Sequence, residues 1–349
     1  MGSVWGHKIN ISLFGESHGA AIGCVIDGLP SGLAIDFDAV DAQMARRAPG
    51  RSPLSTLRKE TDRYEVLSGI LNGKTTGAPL AVMIRNEDTK SQDYNPDILR
   101  PGHADYTAMT KYKGYADYRG GGHFSGRLTA PVVFAGAIVR QILAQQGIVI
   151  GARIYRIYDV TDEETAPDDV LDLLPDSFPV KNPEAKERMQ QAILRAKSDG
   201  DSVGGIVECV AIHVPAGLGD PFFHSMESRL ASLMFSIPAV KGVEFGDGFA
   251  LAQMTGSQAG DGLSLQEGKI CFASNHNGGI NGGIANGQPL VCRVAVKPTP
   301  SIQKIQKTVN VMKGETVSVT VKGRHDPCIV PRALPVVEAM MAIGVYDFM

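Results

Sequence analysis

Apolar residues along the chain fall into short runs typical of strands, separated by stretches with helical spacing. The runs predict strands at 9–14, 20–27, 64–71, 79–85, 148–155, 206–214, 289–297 and 316–322. The helical spacing predicts helices at 38–47, 127–146, 182–197, 225–236 and 335–347. Because the strands come in runs and pairs and do not alternate strictly with helices, the pattern favours an α+β fold over a doubly wound sheet.

Polar residues that can cap a helix stand at the start of several helical segments. Asp36, Asn182 and Ser225 can each accept a hydrogen bond from a first-turn N–H. The acidic stretch 159–176 lacks either spacing and predicts an irregular surface insertion. No low-complexity linker divides the chain, so we expect a single domain over residues 1–349.

Composition narrows the class of protein. The chain has 349 residues, a formal net charge of −3 and five dispersed cysteines without CxxC spacing. This charge argues against binding to nucleic acid or to a membrane surface, and the cysteine pattern favours reduced thiols. The N-terminal stretch lacks a secretory apolar segment, and no run approaches 18 apolar residues. We therefore expect a cytoplasmic protein.

Residues 118–127, with the sequence YRGGGHFSGR, carry the densest candidate chemistry. Consecutive glycines allow the backbone to approach a ligand closely. Ser125 can cap the helix predicted after it, whose free N–H groups and positive dipole end would face the loop. Arg119, His123 and Arg127 add donors and positive charge. The pattern predicts a phosphate or other anion site, although an ordinary glycine-rich turn before a buried helix would look similar.

Four further loops join Gly or Pro to Arg, His, Ser or Asp. They are GESHG at 15–19, the basic block RRAPGRS at 46–52, RPGHAD at 100–105 and GRHDP at 323–327. Guanidinium groups in constrained loops suit phosphate and carboxylate, and histidines transfer protons near neutral pH. This inventory predicts a small, multiply anionic substrate whose phosphate is held or leaves.

Other functions could use the same residue types. A metal-assisted phosphatase is one alternative, but no HExxH or paired His/Cys spacing supports a metal site. A Ser-His hydrolase around Ser17 or Ser125 lacks a GxSxG elbow. The glycine clusters match neither the dinucleotide-binding nor the Walker pattern. A non-enzymatic flavin- or anion-binding module also remains open.

The loops together resemble the chorismate synthase family, in colinear order over essentially the whole chain. The motifs that carry this resemblance are GESHG (15–19), RRAPG (46–50), RPGHADYT (100–107), DYRGGGHFSGR (117–127), IPAVKGVE (237–244), SNHNGGINGG (274–283), KPTPSI (297–302) and GRHDPC (323–328). The resemblance implies a β-α-β sandwich, helices between antiparallel sheets, usually assembled as a homotetramer. It also implies a carbon–oxygen lyase of the shikimate pathway, which serves aromatic amino acid biosynthesis. In that reaction 5-enolpyruvylshikimate 3-phosphate loses phosphate and a proton by anti 1,4-elimination, giving chorismate, with reduced FMN required.

The resemblance also implies roles for individual residues. His18 resembles the histidine beside the leaving phosphate, and His103 resembles the histidine near the flavin pyrimidine edge. Asp326, with Ser17 and Ser125, resembles a proton relay from flavin N5.

Binding residues follow from the same motifs. The arginines that would hold substrate phosphate or carboxylates are Arg47, Arg100 and Arg127. The residues that would contact FMN are His123, Phe124, Ser125, Pro238, Ala239, Gly282, Lys297, Pro298, Thr299, Pro300, Ser301 and Arg324. No metal is implied. Pro53 stands where many family members carry an arginine, and the sequence shows no reductase module. NADPH would therefore act indirectly, if at all, and we expect an external flavin reductase.

Overall fold

The computed structural model describes residues 2–50, 54, 62–87, 92, 94–321 and 326–349. The strands in these residues are β1 Val4–Trp5, β2 Asn10–Gly15, β3 Ala21–Asp27, β4 Tyr64–Ser68, β5 Ile70–Leu71, β6 Lys74–Thr75, β7 Leu80–Arg85, β8 Val149–Ile157, β9 Val160–Thr161, β10 Gly205–Ile212, β11 Val240–Phe245, β12 Leu263–Gln266, β13 Lys269–Phe272, β14 Ile280–Asn281, β15 Ile284–Ala285, β16 Leu290–Val296, β17 Gln306–Asn310 and β18 Glu315–Val319. The helices are α1 Phe37–Arg47, α2 Asp105–Lys111, α3 Thr129–Ala144, α4 Pro167–Asp172, α5 Pro183–Ser198, α6 Met226–Ser236, α7 Gly256–Ala259 and α8 Val330–Asp347.

Two five-stranded antiparallel sheets form the outer layers of the molecule. The first has the strand order β1-β2-β3-β7-β4, and the second has the order β11-β16-β10-β8-β9. In each sheet, strands distant in sequence lie side by side, as β3 does with β7. The predicted strands at 9–14, 20–27, 79–85, 148–155, 206–214 and 289–297 are confirmed within these two sheets. The predicted strand at 64–71 divides into β4, which lies in the first sheet, and β5, which pairs with β6 in a separate sheet.

A helical layer fills the space between the sheets. Helices α3 and α8 pack against each other so closely that a Cβ at Gly136 would overlap Ala339. On one side α3 contacts β3 and β7, and on the other α8 contacts β8 and β10. A continuous buried apolar cluster runs through all three layers. The fold is therefore the β-α-β sandwich of an α+β protein, as expected.

The two ends of α8 are held by similar ion pairs. At its first turn, Arg332 pairs with Asp326. At its last residue, Asp347 pairs with Arg229 of α6, and the Arg229 guanidinium also lies 4.7 Å from the Trp5 ring centre. Helix α8 starts at Val330 and not at the predicted Pro335, so Pro335 lies inside the helix.

Several local predictions were wrong. Ser125 caps the 3-10 turn at 126–128, and α3 begins only at Thr129. The acidic stretch 159–176 is not irregular, since it contains β9 and α4. Its Asp162 is buried and pairs with Arg153, which is fully buried beneath it. The other acidic side chains of this stretch are exposed, as a surface insertion predicts, so the prediction was wrong only for the regular elements and for Asp162.

The helical stretch from Gly126 to Ala144 is long and apolar enough to cross a membrane, which the sequence reading did not anticipate. Inside the protein, 83% of its most apolar 18-residue window is buried. Because it packs between the two sheets, it is the core helix of the sandwich.

Candidate active site

The loop after β2 carries Ser17 and His18, which are both buried. Ser17 Oγ lies 3.3 Å from His18 Nδ1 and accepts a hydrogen bond from the Gly121 N–H at 3.3 Å. The Ser17 N–H donates to the Gly122 carbonyl at 3.1 Å. A Cβ at Gly120, whose φ is +64°, would overlap the His18 ring. Glycine is therefore needed where this loop covers the imidazole.

Asp105 organises the second histidine of the site. Its carboxylate accepts hydrogen bonds from Arg100 at 2.7 and 2.8 Å, and its Oδ1 lies 2.6 Å from His103 Nδ1. Burial alone would raise the pKa of the Asp105 carboxyl, but hydrogen bonds with His103 and Arg100 hold that pKa well below its usual range. The carboxylate stays ionised and orients the imidazole and the guanidinium.

Tyr94 and Arg100 connect the two histidine loops. The His18 and Tyr94 rings meet edge to face with centres 5.2 Å apart, and the Arg100 guanidinium lies 5.2 Å from the Tyr94 ring centre. Arg100 Nη2 also donates to the Gly120 carbonyl at 2.6 Å. Because Gly120 touches His18, a single arginine joins the His103 loop to the His18 loop.

A cavity of about 730 Å³ opens beside these loops. Its polar wall includes Arg100 and His103, and its apolar wall includes Phe124, Met109 and Val319. Pockets for small organic ligands commonly have volumes of about 300–1,000 Å³ and mix apolar walls with a few polar groups. The cavity can therefore hold a small organic ligand.

Asp62 joins two of the arginines singled out by the sequence. One carboxylate oxygen pairs with Arg47 Nη1 at 2.7 Å, and the other pairs with Arg127 Nη1. Burial alone would raise the pKa of the Asp62 carboxyl, but the charges of Arg47 and Arg127 lower it. One carboxylate holds two guanidinium groups, so this buried trio carries a net positive charge.

Further contacts place the Asp62 trio beside the histidine loops. Arg47 Nη2 donates to the Gly126 carbonyl at 2.7 Å. Arg127 Nε donates to Asn86 Oδ1 at 3.1 Å, and Asn86 Nδ2 donates to the carbonyls of Glu16 and Gly19 at 2.9 Å. The asparagine therefore fixes Arg127 against the loop that carries His18.

The segment from Lys297 to Ser301 lies between the His103 loop and Asp326. Lys297 Nζ donates to the Gly102 carbonyl at 2.6 Å, and Thr299 Oγ1 donates to the Asp326 carbonyl at 3.1 Å. Pro300 lies against Gly102. The Lys297 N–H donates to the carbonyl of Ala239, which follows Pro238, at 2.9 Å. The predicted segments at 238–239 and 297–301 therefore lie beside the His103 loop and Asp326.

Arg332 completes the connections between the loops. Its Nη1 pairs with Asp326 Oδ2, and its Nε donates to the Arg47 carbonyl at 3.1 Å. Burial lowers the pKa of Arg332, while Asp326 opposes that change. Contacts therefore run without a break from His18 through His103 and Asp326 to Arg47, and through Arg127 back to His18.

Some predicted residues have other surroundings. Both ring nitrogens of His123 have protein partners, with Nε2 2.9 Å from Ser3 Oγ and Nδ1 2.8 Å from the Gly15 carbonyl. Ser125 Oγ accepts the Arg127 N–H. Gly282 is exposed, and no contact joins it to the other site segments within the described residues. Arg324 and His325 lie outside the described residues, as do Arg51, Ser52, Pro53 and Arg58.

The sequence did not single out Asp62, Asn86, Tyr94 or Arg332. A weak signal existed for Asp62, which closes the acidic end of the basic block. Nothing local marks Asn86, because its partners lie far away along the chain. Arg332 pairs with Asp326 six positions away, but its other partner, the Arg47 carbonyl, lies 285 positions away. Within the described residues, no three His, Cys, Asp or Glu side chains cluster closely enough to hold a metal ion.

The arginines and histidines that the sandwich brings together are typical of an enzyme that binds a small anionic ligand. The family model of chorismate synthase matches residues 9–349. A chorismate synthase of Korarchaeum cryptofilum is 47% identical over 351 residues, covering 99% of this chain and 97% of that protein. A chorismate synthase of Porphyromonas gingivalis is 47% identical, covering 98% and 94%. A crystal structure of chorismate synthase superposes with a TM-score of 0.77 at 30% identity, covering 99% and 92%.

The chain belongs to the chorismate synthase family.

Proposed function

We propose that the protein eliminates phosphate from 5-enolpyruvylshikimate 3-phosphate and forms chorismate, as a carbon–oxygen lyase that requires reduced FMN. One observation carries this proposal beyond family membership. The predicted catalytic and anion-binding loops, with the exception of Gly282 and the residues outside the described ranges, join through direct contacts, and Arg100, His103 and Phe124 among them line one cavity. Such convergence is what a reaction that combines phosphate departure with proton transfer requires.

The cavity also fits a flavin. Its volume of about 730 Å³ and its apolar wall suit a planar ring system, while Arg100 and His103 offer polar partners for the ring edge. Bound reduced FMN would supply electron density to the electron-deficient substrate ring. The residues that would hold FMN are His123, Phe124, Ser125, Pro238, Ala239, Gly282, Lys297, Pro298, Thr299, Pro300, Ser301 and Arg324. Among the described members of this set, Phe124 lines the cavity. Because the His123 ring already has two partners, its flavin contact would come from its backbone.

The arginines would hold and stabilise the anionic groups of the substrate. Arg47, Arg100 and Arg127 are fixed by Asp62 and Asp105, so their donors need little reorganisation as charge develops on the phosphate. His18 would give a proton from Nε2 to the departing phosphate, while Ser17 Oγ beside Nδ1 orients the ring.

The other two proton-handling groups would act on the flavin side. His103, held at Nδ1 by Asp105, would present Nε2 to the pyrimidine edge and set the protonation state of the cofactor. Asp326, with Ser17 and Ser125, would accept the proton released after the substrate C–H bond breaks.

The assembly and setting belong to the same proposal. Exposed apolar side chains on the β12–β13 hairpin, namely Leu263, Leu265 and Ile270, support a homotetramer. The continuous core supports one domain over residues 1–349. We place the protein in the cytoplasm, away from membranes and nucleic acid, with an external flavin reductase and only an indirect role for NADPH. Light scattering of the purified protein tests the tetramer.

An anaerobic assay with dithionite-reduced FMN and 5-enolpyruvylshikimate 3-phosphate tests the activity. We expect release of phosphate and formation of chorismate, no turnover with oxidised FMN alone, and no effect of a chelator. A folded protein that binds FMN but releases no phosphate would be a flavin-binding module, and loss of activity to a chelator would indicate a metal-assisted phosphatase.

Replacement of either histidine sharpens the test. We expect His18→Ala and His103→Ala each to lower kcat by about 10²–10⁴-fold, because each removes a proton-transfer group. The His213→Ala variant is the matched control, since the exposed His213 lies away from the site loops and its Nδ1 lies 3.1 Å from the Gly147 carbonyl. Wild-type rates in both site variants would remove these roles.

A further inference from the structure

Arg332 stands where local forces disfavour a cation. It lies in the first turn of α8, where the positive end of the helix dipole repels positive charge. Burial lowers the pKa of its guanidinium, and the charge of Arg47 lowers it further, with only Asp326 and Asp62 acting against them. A charged side chain that is kept where burial and the helix dipole disfavour it is typical of functional sites.

The contacts of Arg332 reach two separate parts of the site. Its Nη1 pairs with the Asp326 carboxylate, and its Nε donates to the backbone carbonyl of Arg47 at 3.1 Å. Asp326 precedes α8, whereas Arg47 is the last residue of α1. The planar guanidinium therefore fixes the carboxylate relative to the end of the helix that carries a substrate-binding arginine.

The Asp326 contact matters more than the Arg47 contact. The Arg47 side chain is already held by Asp62, Thr129 and Gly126 through its three guanidinium nitrogens. Loss of one bond to its backbone carbonyl would leave that side chain in place. Loss of Arg332 would instead remove the guanidinium that pairs with Asp326 Oδ2 and would relax the direction of this buried carboxylate.

We infer that Arg332 is a positioning residue that holds Asp326 for proton transfer at a fixed distance from the substrate-binding arginines. The inference rests on the proposed function, because it assigns Asp326 to the reaction. Arg332 touches neither substrate nor cofactor in this role. Its removal should therefore lower kcat and leave KM and flavin affinity nearly unchanged.

The Arg229–Asp347 pair at the other end of α8 provides a matched control. It is also a buried Arg–Asp pair on this helix, and it lies about 22 Å from Arg332 along the helix axis. Arg229→Lys and Arg332→Lys make the same chemical change. A lysine ammonium keeps the charge but cannot span two acceptors as a guanidinium does.

The experiment compares these variants with the wild type under reduced-FMN turnover, FMN titration and thermal unfolding. We expect Arg332→Lys to lower kcat by about 10- to 100-fold, the size of effect that misplacement of a reacting group produces. Its KM and FMN dissociation constant should stay within about twofold of wild type, as should all constants of Arg229→Lys. Arg332→Gln, which keeps a donor without the charge, should lose at least as much kcat.

Asp326→Asn completes a double-mutant cycle. Arg332→Lys should cause no further loss of kcat in that background, and the two changes together should lower Tm by less than the sum of the separate shifts. The double-mutant cycle in Tm measures the interaction between Arg332 and Asp326 independently of catalysis. Multiplicative kcat losses, wild-type kcat in Arg332→Lys, or failure of both Arg332 variants to fold would overturn the inference. Absence of wild-type turnover would instead overturn the proposed function.

Discussion

Two buried carboxylates each hold two arginines, one in the helical layer and one next to the loop that carries His18. Glu338 of α8 pairs with Arg46 and Arg140, and its Oε1 also accepts the Ala152 N–H at 3.1 Å. Asp62 pairs with Arg47 and Arg127. Neighbouring residues at the end of α1 thus serve different clusters, because successive helical side chains point in different directions.

Burial does not distinguish the two clusters. Both carboxylate side chains are fully buried, and the arginines on Asp62 are less exposed than those on Glu338. The difference lies in what the arginines touch next. The Glu338 cluster joins three helices and β8, whereas the Asp62 cluster joins Gly126, Asn86 and the His18 loop. We therefore assign the Asp62 cluster to the proposed site because of its neighbours and not because of its depth.

The largest expected contrast comes from neutralising each carboxylate. Asp62→Asn should lower kcat by about 100-fold or more, because Arg47 and Arg127, which we propose to bind the substrate, both lose their anchor. Glu338→Gln should leave kcat per folded molecule near wild type. Both changes should cost about 3–5 kcal/mol of stability, since each leaves buried guanidinium groups without their carboxylate. Turnover measured against the folded fraction separates the outcomes, and equal kcat losses in the two variants would break the comparison.

A smaller contrast comes from the adjacent arginines of α1. Arg47→Lys should raise KM for the phosphorylated substrate by about tenfold, because lysine cannot reproduce three directed contacts. Arg46→Lys should leave KM within about twofold, since the Arg46 guanidinium donates to Gln43 and Glu338 in the helical layer. Steady-state kinetics at saturating FMN measures both, and a KM change in Arg46→Lys alone would contradict the assignment.

The smallest effect concerns pH. The pKa of Asp62 is below its ordinary value of 3.8, so this carboxylate stabilises the fold above that pH, and the contribution is lost as pH falls through the folded-state pKa. The Tm gap between wild type and Asp62→Asn should therefore be constant near neutral pH and should narrow below about pH 4. Thermal unfolding from pH 3 to 7 measures it. A gap that widens on acidification would show that the carboxylate is not held ionised.

Local signals accounted for much of the fold. Asp36 and Ser225 accept first-turn N–H groups, as their positions before helices predicted. The strands at 64–71 and 79–85 pair, with a bulge between Val66 and Ser68. Helix α2 was missed because it is short, follows a Pro-Gly pair and has no side-chain cap at Ala104.

The site was predictable only in part. The motif loops were visible because glycine, proline, arginine and histidine concentrate there. The residues that connect these loops were not visible, because their partners are distant in sequence. Asp62 pairs with Arg127, 65 positions away, and Arg332 contacts Arg47, 285 positions away. Such pairs depend on the packing of whole layers. The residues that orient catalytic groups are therefore harder to predict from local pattern than the groups themselves.

The contact between Gly120 and the His18 ring limits how these two positions can change over evolutionary time. A larger residue at 120 has no room while an imidazole occupies 18, so substitutions there should appear jointly or not at all across homologues. A covariation survey would then show positions 18 and 120 as a linked pair, although more than a hundred residues separate them.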